Sequence, residues 1–319
     1  MKELSGKIAV VTGGGTGMGR ELVRQLIAEG CHVAFCDIMQ DNMTETMQIA
    51  TAEAPQGIRV LSFKCDVSKE DEMHAFANKV KEEFETDHVN LLFNNAGVGG
   101  GGSFVEINRE QWEKTFDINW GGVYNGCLAF REMLLASTEG HLVNTSSVNG
   151  FWASLGYDST HTAYAASKFA VKGFTEALIN DFRMNAPHVK VTLVMPGHIG
   201  TSIHQNSQIL MSGNTALEMD DEQVESYRQN LINQGVPADE MDADQIRQVS
   251  HQMGEAFKNN ARTSAAEGAR VIIDGVKNEQ WRVLIGEDAI TLDKMVRESP
   301  EAAYTKEFSD RVIQAFTAK

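Results

Sequence analysis

The chain has 319 residues, of which 42% are hydrophobic and 23% charged, and its length allows one large domain or two ordinary ones. This composition excludes a disordered or fibrous protein, because the apolar fraction is sufficient to form a buried core. The formal net charge of −16, without a local basic run, disfavours nucleic acids and anionic membrane surfaces as partners.

The sequence lacks the signs of a membrane or secretory location. Lys2 and Glu3 precede an apolar run of only four residues, which is unlike a secretory signal, and the apolar runs elsewhere are too short to span a membrane. The four cysteines form no Cys-x-x-Cys pair, and three of them lie in or beside apolar strand-like runs, where a thiol acts as a small hydrophobic group. We therefore expect reduced thiols and a cytoplasmic protein.

Apolar runs alternate with helical periodicity along the first two thirds of the chain. Strands are predicted at 8–11, 32–37, 58–64, 91–94, 141–145 and 189–195. One helix is predicted directly after the glycine cluster at 13–19, and a second one follows the second strand up to about residue 54. Further helices are predicted over 69–85, 109–135 and 164–184. Six consecutive strand–helix units predict an α/β fold, in which a doubly wound, Rossmann-type parallel sheet carries helices on both faces.

The last third of the chain departs from this alternation. Residues 201–263 are rich in Gln, Asn, Met and acidic residues and lack a strand signal, so we predict a helical insertion at 202–263. One of its helices is expected over 239–258, with an apolar stripe formed by Ile246, Val249, Met253 and Phe257. The remaining predicted elements are a helix at 265–277, a strand at 283–285 and a C-terminal tail at 288–319.

The organisation of these parts is predicted to be a single domain over 1–319. A linker rich in Pro, Gly and Ser is absent, and the last predicted strand can complete the sheet. Apolar residues near the start of the insertion, such as Ile209 and Leu210, either form a lid over a lipophilic substrate or pack the insertion onto the core. The sequence leaves both interpretations open.

The glycine cluster between the first strand and the first helix indicates a dinucleotide site, because bare backbone N–H groups at a helix N-terminus can hold a pyrophosphate. Its spacing, Gly13-x-x-x-Gly17-x-Gly19, differs from the GxGxxG fingerprint, and a simple glycine-rich turn is the alternative. Asp37 ends the second strand, where its carboxylate can accept hydrogen bonds from ribose hydroxyls and repel a 2′-phosphate. Neither Thr16 nor Ile38 supplies a cation for that phosphate, which favours NAD over NADP.

A second candidate motif lies at the head of the helix predicted over 164–184. Tyr164 and Lys168 are four residues apart, so their Cβ atoms lie on one helix face, about 5–6 Å apart. A phenol with an ordinary pKa of about 10 is a poor base at neutral pH, and a nearby cation favours its ionised form. Taken alone, an exposed aromatic residue with a solvated lysine is the alternative.

Several motifs occur together in the order and positions typical of one family. They are Thr12 to Gly19, the run Asn94-Asn95-Ala96-Gly97 after the fourth strand, Asn119 within a helix, Ser147 after the fifth strand, Tyr164 with Lys168, and Pro196-Gly197 after the sixth strand. With these motifs, residues 5 to 200 resemble the short-chain dehydrogenase/reductase family, and the glycine spacing is similar to that of its short subgroup.

The resemblance implies a catalytic role for four residues. Tyr164 would be the general acid and base, Lys168 would lower its pKa and bind the nicotinamide ribose, and Ser147 would polarise the substrate oxygen. Asn119 would hold a water molecule in a proton relay through Lys168.

The resemblance also implies cofactor contacts along the chain. Asp66 and Val67 would flank the adenine, and Ile199 and Thr201 would meet the nicotinamide carboxamide. The full expected set is Gly13, Thr16, Gly17, Met18, Gly19, Asp37, Asp66, Val67, Asn94, Ala96, Gly97, Tyr164, Lys168, Pro196, Gly197, Ile199 and Thr201.

The chain departs from the family pattern between its serine and its tyrosine. Ser147 and Tyr164 are 17 residues apart, about four more than in many relatives, and we assign the extra residues to 156–162. Ser146 is the alternative polarising residue. Tyr157 is not expected to be catalytic, because the position four residues later is His161 and not a lysine.

The substrate is the least constrained part of the prediction. Asn149, Trp152, Tyr157 and His198 are candidate contacts, and the apolar residues around them favour a lipophilic or aromatic secondary alcohol or its ketone. We expect no metal, because His198 and His204 lack a partner carboxylate at helical spacing.

The predicted activity is that of an NAD-dependent alcohol dehydrogenase, and two alternatives stay open. The first is a carbonyl reductase that acts on a ketone or an acyl-carrier ketone with the same residues and the opposite flux. The second is a non-catalytic dinucleotide-sensing protein, which would have no need of an acid/base pair. The resemblance also implies a homodimer or homotetramer packed through the helices at 109–135 and 164–184.

Overall fold

The computed structural model describes residues 1–100, 102–105, 109–157, 159–233 and 235–317. Within these ranges the main sheet has seven strands, all parallel to their neighbours. The strands of the described chain are β1 Ile8–Thr12, β2 His32–Asp37, β3 Val60–Lys64, β4 Leu91–Asn94, β5 Gly140–Thr145, β6 Val189–Pro196, β7 Ile199–Gly200, β8 Thr263–Ser264 and β9 Arg282–Ile285.

The main sheet has the strand order β3-β2-β1-β4-β5-β6-β9, while β7 and β8 form a separate two-stranded sheet. The direction of winding reverses between β1 and β4, and in such a sheet ligands bind in the crevice at the carboxyl ends of the strands beside the reversal. The predicted doubly wound parallel sheet is confirmed.

Helices connect the strands and cover both faces of the sheet. They are α1 Gly17–Ala28, α2 Gln40–Glu53, α3 Glu70–Phe84, α4 Arg109–Phe116, a π-helix at Asp117–Gly121, α5 Gly122–Leu135, α6 Thr162–Asn185, α7 Ile203–Ser212, α8 Asp221–Asn233, α9 Ala243–Asn259, α10 Ala265–Lys277, α11 Glu287–Glu298 and α12 Lys306–Thr317. Short 3-10 helices occur at Val148–Gly150, Ala216–Glu218 and Pro300–Ala302.

The core lies in two layers because successive strand residues point to opposite faces of the sheet. In β1, Ala9 and Val11 pack with α1 and α10, whereas Ile8 and Val10 pack with α3 and α5. Both layers are apolar, so the strands are buried from both sides, as expected for a parallel sheet. This packing holds the carboxyl ends of β1, β2, β4, β5 and β6 at one edge.

The prediction of one continuous helix over 109–135 is wrong at its centre. A π-helix at Asp117–Gly121 separates α4 from α5. The wide turn carries Asn119, whose side chain exchanges two hydrogen bonds with the backbone of Val98. Periodicity alone does not reveal one extra residue in a turn, and π-turns are frequent at functional sites.

The insertion has a small core of its own. Met219, Val224, Leu231, Ala238 and Ile246 are buried together within it. The strands β7 and β8 pair where the insertion leaves and rejoins the Rossmann part of the chain, with Ile199 opposite Thr263 and Gly200 opposite Ser264. The expectation of no strand up to residue 263 therefore misses β8, because a two-residue strand carries no periodic signal.

The predicted helix over 239–258 begins later, at Ala243. Asp242 and Gln245 form a capping box that fixes this start. Its buried face consists of Ile246, Ser250 and Gly254. The predicted apolar stripe is therefore only partly buried, since the Met253 side chain is 43% exposed.

The C-terminal tail forms two helices, α11 and α12, with residues 318 and 319 outside the described residues. It packs through Leu292, Phe308 and Val312 against Trp152. The Trp152 indole N–H donates to the carbonyl of Ala303 at 2.7 Å. The described part of the chain contains no helix that is both long and apolar enough to cross a membrane.

Candidate active site

The loop between β1 and α1 leaves the N-terminus of α1 without a side-chain cap or a nearby acidic residue of the first turn. Thr16, the residue before α1, makes no side-chain capping hydrogen bond, and the first turn contains no acidic residue. Gly13 and Gly17 have positive φ angles of 68° and 55°, and a Cβ on Gly13 would lie 2.8 Å from the Ala96 Cα. The backbone N–H groups at the start of α1 are therefore available to an anion.

This loop borders a cleft of about 290 Å³. The predicted cofactor residues that line it are Gly13, Thr16, Gly17, Met18, Gly19, Asp37, Asp66, Val67, Ala96, Gly97 and Thr201. Residues that sequence reasoning missed line it as well, among them Asn95 after β4 and Ile203, Asn206 and Leu210 on α7. The α7 residues had no sequence signal, because helix periodicity does not say which strand ends a helix will cover.

Asp37 lies at the carboxyl end of β2, beside the glycine loop. Its carboxylate accepts hydrogen bonds from the backbone N–H groups of Gly15 at 2.9 Å and Met39 at 3.0 Å. Burial raises the pKa of Asp37, and these two donors oppose that shift. The nearby Arg20 is held by the Gly15 carbonyl at 2.7 Å and by Glu45 at 2.6 Å, so its guanidinium is already neutralised.

Six residues expected at the cofactor do not line the cleft: Tyr164 and Gly197 line the larger cavity beside it, Lys168 is buried, and Asn94, Pro196 and Ile199 lie elsewhere. The Asn94 side chain faces α5, where it donates to Asn144 at 2.9 Å and to the Cys127 sulfur at 3.3 Å. Ile199 is buried in the core beside α10, and Pro196 ends β6 away from the lining of the cleft. The following residue Asn95 takes the place expected for Asn94, since side chains alternate along a strand.

Tyr164, Ser147 and Lys168 converge at the carboxyl end of β5. Tyr164 and Ser147 line the same cavity, and the Lys168 Nζ lies 5.5 Å from the centre of the Tyr164 ring. Lys168 is 4% exposed and donates to the Thr145 carbonyl at 3.2 Å. The serine at the end of a strand and the pair on one helix face therefore meet in one place.

Burial dominates the electrostatics of this group. It raises the pKa of the Tyr164 phenol, while the hydrogen bond with Ser147 opposes the shift. It also lowers the pKa of Lys168 to about 8. The lowered phenol pKa that the resemblance implied is therefore not produced by these protein groups alone.

Asn119 lies close to the lysine, and its side chain is hydrogen-bonded to the backbone of Val98. Its amide accepts from the Val98 N–H at 2.8 Å and donates to the Val98 carbonyl at 3.0 Å. A Cβ on Gly97 would lie 2.9 Å from the Asn119 Oδ1 and 3.3 Å from the Lys168 Nζ. Gly97 is thus required for the close packing of Asn119 and Lys168.

The two adjacent serines have different surroundings. Ser147 lines the cavity with Tyr164 and also accepts a hydrogen bond from the Asn149 N–H at 3.1 Å. Ser146 is buried behind the site and donates to the backbone carbonyl of Lys168 at 2.8 Å. The geometry therefore favours Ser147 as the polarising residue.

A larger cavity of about 1180 Å³ adjoins this group. Of the predicted substrate contacts, Asn149, Trp152 and His198 line it, whereas Tyr157 does not and is 57% exposed. Asn149 is held by the carbonyls of Trp152 and Ser154 at 3.0 and 2.8 Å. The His198 Nε2 donates to the Phe257 carbonyl at 2.7 Å, and the backbone N–H of His198 donates to Asp288 at 2.6 Å.

Two elements beyond the resemblance close this cavity. Helix α7 and the segments after it contribute Ile203, His204, Met211, Met219 and Tyr227 on one side. Helix α12 contributes Ser309, Val312, Ile313 and Phe316 on the other. Ile203 lines both the cleft and the cavity, so α7 covers the place where the two adjoin.

The charge of the cavity is one-sided. Its charged lining residues in the described chain are Asp220, Glu222 and Asp288, and none of the lining residues is Lys or Arg. The described residues also contain no group of three or more His, Cys, Asp or Glu side chains that could hold a metal ion. The lining thus offers apolar surface and hydrogen-bonding groups to a ligand, without a cation for an anionic one.

Known proteins are similar to this chain over much of its length. Residues 7–209 match the family model described as short chain dehydrogenase. A Mycobacterium tuberculosis protein named SadH is 32% identical over 93% of this chain and 92% of its own length. Human epidermal retinol dehydrogenase 2 is 33% identical over 64% of each chain.

Solved structures are similar over most of the chain. The crystal structure of a short chain dehydrogenase/reductase from Burkholderia phymatum in complex with NAD has a TM-score of 0.75, with 26% identity over 94% of this chain and 96% of that one. Levodione reductase has a TM-score of 0.64 over 88% of this chain and 95% of its own, and at 22% identity it shows the fold alone. The chain belongs to the short-chain dehydrogenase family of oxidoreductases.

Proposed function

We propose that the protein is an NAD-dependent dehydrogenase that interconverts a lipophilic or aromatic secondary alcohol and its ketone. The observation that carries this proposal is the junction of two cavities. Tyr164 and Ser147 face the larger one, Lys168 lies behind the tyrosine, and the glycine-loop cleft adjoins them under Ile203.

The cleft fits a dinucleotide. The uncapped start of α1 suits a pyrophosphate, and Asp37 at the end of β2 suits the ribose hydroxyls. The Asp37 charge disfavours a 2′-phosphate, and Arg20 is occupied by Gly15 and Glu45. The NAD complex of the Burkholderia phymatum relative supports the same cofactor.

The chain's own residues supply the proton chemistry. When bound, an oxidised dinucleotide would supply the hydride acceptor. Ser147 donates a hydrogen bond to the substrate oxygen, and Tyr164 takes the hydroxyl proton during oxidation or returns it during reduction. Lys168, held by the Thr145 carbonyl, favours the ionised phenol when it is protonated.

The cavity supports an uncharged substrate. Its walls include Trp152, Leu292, Val312 and Phe257, which suit an apolar body. The acidic groups Asp220, Glu222 and Asp288 repel a carboxylate or phosphate, and this argues against an acyl-carrier substrate. The names of the retinol dehydrogenase relatives agree with a lipophilic alcohol.

The test begins with titration of the purified protein with NADH and NADPH, followed by nicotinamide fluorescence. Turnover is then measured with NAD and a panel of steroid, aromatic and aliphatic secondary alcohols. Tyr164→Phe should retain NADH binding but lose about 10²- to 10⁴-fold in kcat, the range for loss of a general acid/base. Unchanged turnover in Tyr164→Phe would refute the proposal.

A matched pair of substrates tests the charge of the cavity. We expect methyl 4-(1-hydroxyethyl)benzoate to be oxidised about tenfold more efficiently than the free acid. The acid places a carboxylate beside the acidic residues of the cavity, and the repulsion between these charges costs about 1–2 kcal/mol. Equal efficiency for the two compounds would contradict the assignment of an uncharged substrate.

We also propose that the chain forms a homodimer or homotetramer through α5 and α6. Trp120, Tyr124 and Phe174 form an aromatic group there, with 5.2 Å between the Trp120 and Phe174 ring centres. Tyr124 is 45% and Phe169 41% exposed, which is unusual for large apolar groups in a cluster. Light scattering of the wild type and of Tyr124→Glu with Phe169→Glu tests this, and a wild-type monomer would refute it.

A further inference from the structure

His161 is the residue before α6, three positions ahead of Tyr164. Its ring centre lies 4.5 Å from that of Tyr164, with 34° between the ring planes. The side chain lines the larger cavity together with Ser147 and Tyr164. The imidazole therefore lies against the proposed acid/base and borders the space in which a substrate would react.

The imidazole nitrogens of His161 have no hydrogen-bond partner among the described residues. The backbone carbonyl of His161 accepts from the Ala165 N–H at 3.0 Å, but its side chain caps no N–H of α6. By contrast, His198, one of the two further histidines that line the cavity, is held through Nε2 by the Phe257 carbonyl. A neutral imidazole offers one donor and one acceptor, and these are left for a ligand.

The protonation state agrees with a hydrogen-bonding role. Burial lowers the pKa of His161 to about 4, so the ring is neutral at physiological pH. A neutral ring adds no positive charge to the Tyr164 phenol and cannot substitute for Lys168 in favouring its ionised form. It can, however, donate to or accept from an uncharged oxygen of the substrate.

We propose that His161 is a specificity-determining residue, which binds a second oxygen of the substrate on the carbon next to the reacting one. The substrate class is then a vicinal diol or an α-hydroxy ketone with an apolar body. This inference rests on the proposed function, because it takes Tyr164 and Ser147 as the groups that hold the reacting oxygen.

The alternative is that His161 only packs against the Tyr164 ring. Two variants separate the roles: His161→Phe retains an aromatic ring without its nitrogens, and His161→Gln retains hydrogen-bonding groups without the ring. His74→Phe is the matched control, since His74 is an exposed residue on α3, far along the chain from the site.

The probes are 1-phenylethanol and 1-phenyl-1,2-ethanediol, which differ by one hydroxyl group. Their dissociation constants for the protein–NADH complex are measured by nicotinamide fluorescence, and KM and kcat are measured with NAD. We expect His161→Phe to weaken the diol relative to the mono-alcohol about fivefold, in Kd and in KM, as for the loss of one hydrogen bond. His161→Gln should restore most of this ratio, and His74→Phe should leave it unchanged.

The outcomes distinguish this inference from the proposed function. If neither alcohol is turned over by the wild type but the diol-to-mono-alcohol Kd ratio changes in His161→Phe, the proposed function fails, and what stands of the inference is that His161 binds the second hydroxyl group of the diol. If turnover depends on Tyr164 but the ratio does not change, the inference is overturned alone. A loss of kcat for both alcohols in His161→Phe without a change in the ratio also overturns the inference and leaves His161 a packing role. The inference is overturned as well if the diol does not bind the wild type.

Discussion

Asn206 in α7 donates a hydrogen bond from its side-chain amide to the Thr16 hydroxyl at 3.0 Å, across 190 positions of sequence. Thr16 immediately precedes α1 in the glycine loop. The same helix accepts a second bond, from the Gly99 N–H to the Ser207 hydroxyl at 2.7 Å. The insertion is therefore connected to the cofactor cleft as well as to the substrate cavity.

We expect Asn206→Ala to weaken NADH binding about fivefold, because one hydrogen bond contributes about 1 kcal/mol. Thr16→Ala should have a similar effect, and the double variant should weaken binding by less than the two effects added together. NADH titration of all four proteins gives the coupling free energy. Additive effects would show that the two side chains contribute independently.

Ser147→Ala should lower kcat about 10²- to 10³-fold, the cost of losing a donor to the developing charge on the substrate oxygen. Ser146→Ala removes only a buried hydrogen bond to the Lys168 carbonyl. It should lower the free energy of unfolding by about 1 kcal/mol and keep kcat within about threefold. Steady-state kinetics and urea unfolding of both variants check this, and the reverse order of kcat would assign the role to Ser146.

Asp37→Ala should reduce the preference for NADH over NADPH at least about tenfold, or about 1.4 kcal/mol. The carboxylate no longer accepts from the ribose hydroxyls and no longer repels a 2′-phosphate. Asp41→Ala, in the exposed first turn of α2, is the control for loss of one negative charge nearby. An equal change in both variants would attribute the preference to net charge and not to Asp37.

Lys168→Met should inactivate the enzyme yet raise its stability at pH 7 by about 1–3 kcal/mol, since burial lowers the pKa of Lys168 to about 8. The unfolded chain binds this proton up to a pKa of about 10.4, so the cost of burying the charge is fully present below pH 8 and is lost as the pH rises towards 10.4. Urea unfolding of both proteins at pH 7 and pH 10 gives the difference. A gain of equal size at both pH values would mean that packing, and not charge, causes it.

Phe316→Ala should raise KM for a bulky apolar alcohol several-fold, because removal of a partly buried aromatic ring forfeits about 1 kcal/mol of apolar contact. The effect on a small alcohol such as 2-propanol should be weaker. Ile290→Ala is a suitable control, since Ile290 is 50% exposed on α11 and does not line the cavity. Equal effects on large and small alcohols would exclude α12 from substrate binding.

The sequence predicted the doubly wound parallel sheet and several residues of the candidate site because both depend on local patterns. Apolar runs fixed the strands, and parallel strands necessarily bring their carboxyl ends to one edge, where Asp37 and Ser147 lie. Tyr164 and Lys168 were predicted from spacing on one helix. These relations extend over a few residues or follow from topology.

The contributions of α7 and α12 could not be predicted in this way. Asn206 and Phe316 reach the site through the packing of whole helices, and the sequences of these helices carry only ordinary helical periodicity. Asn94 shows a second way in which the sequence misleads. Its motif was recognised, but side chains alternate along a strand, and the Asn94 side chain points towards α5. Contacts set by tertiary packing require the structure.

The pairing of β7 with β8 has a consequence for how the substrate range of such a chain can change. The ladder of Ile199 with Thr263 and Gly200 with Ser264 holds the two ends of the insertion together, directly after the carboxyl end of β6. A segment anchored in this way can gain, lose or exchange residues without moving either attachment point. Evolution could therefore replace the cover of the cavity as a unit while Ser147, Tyr164 and Lys168 stay in register.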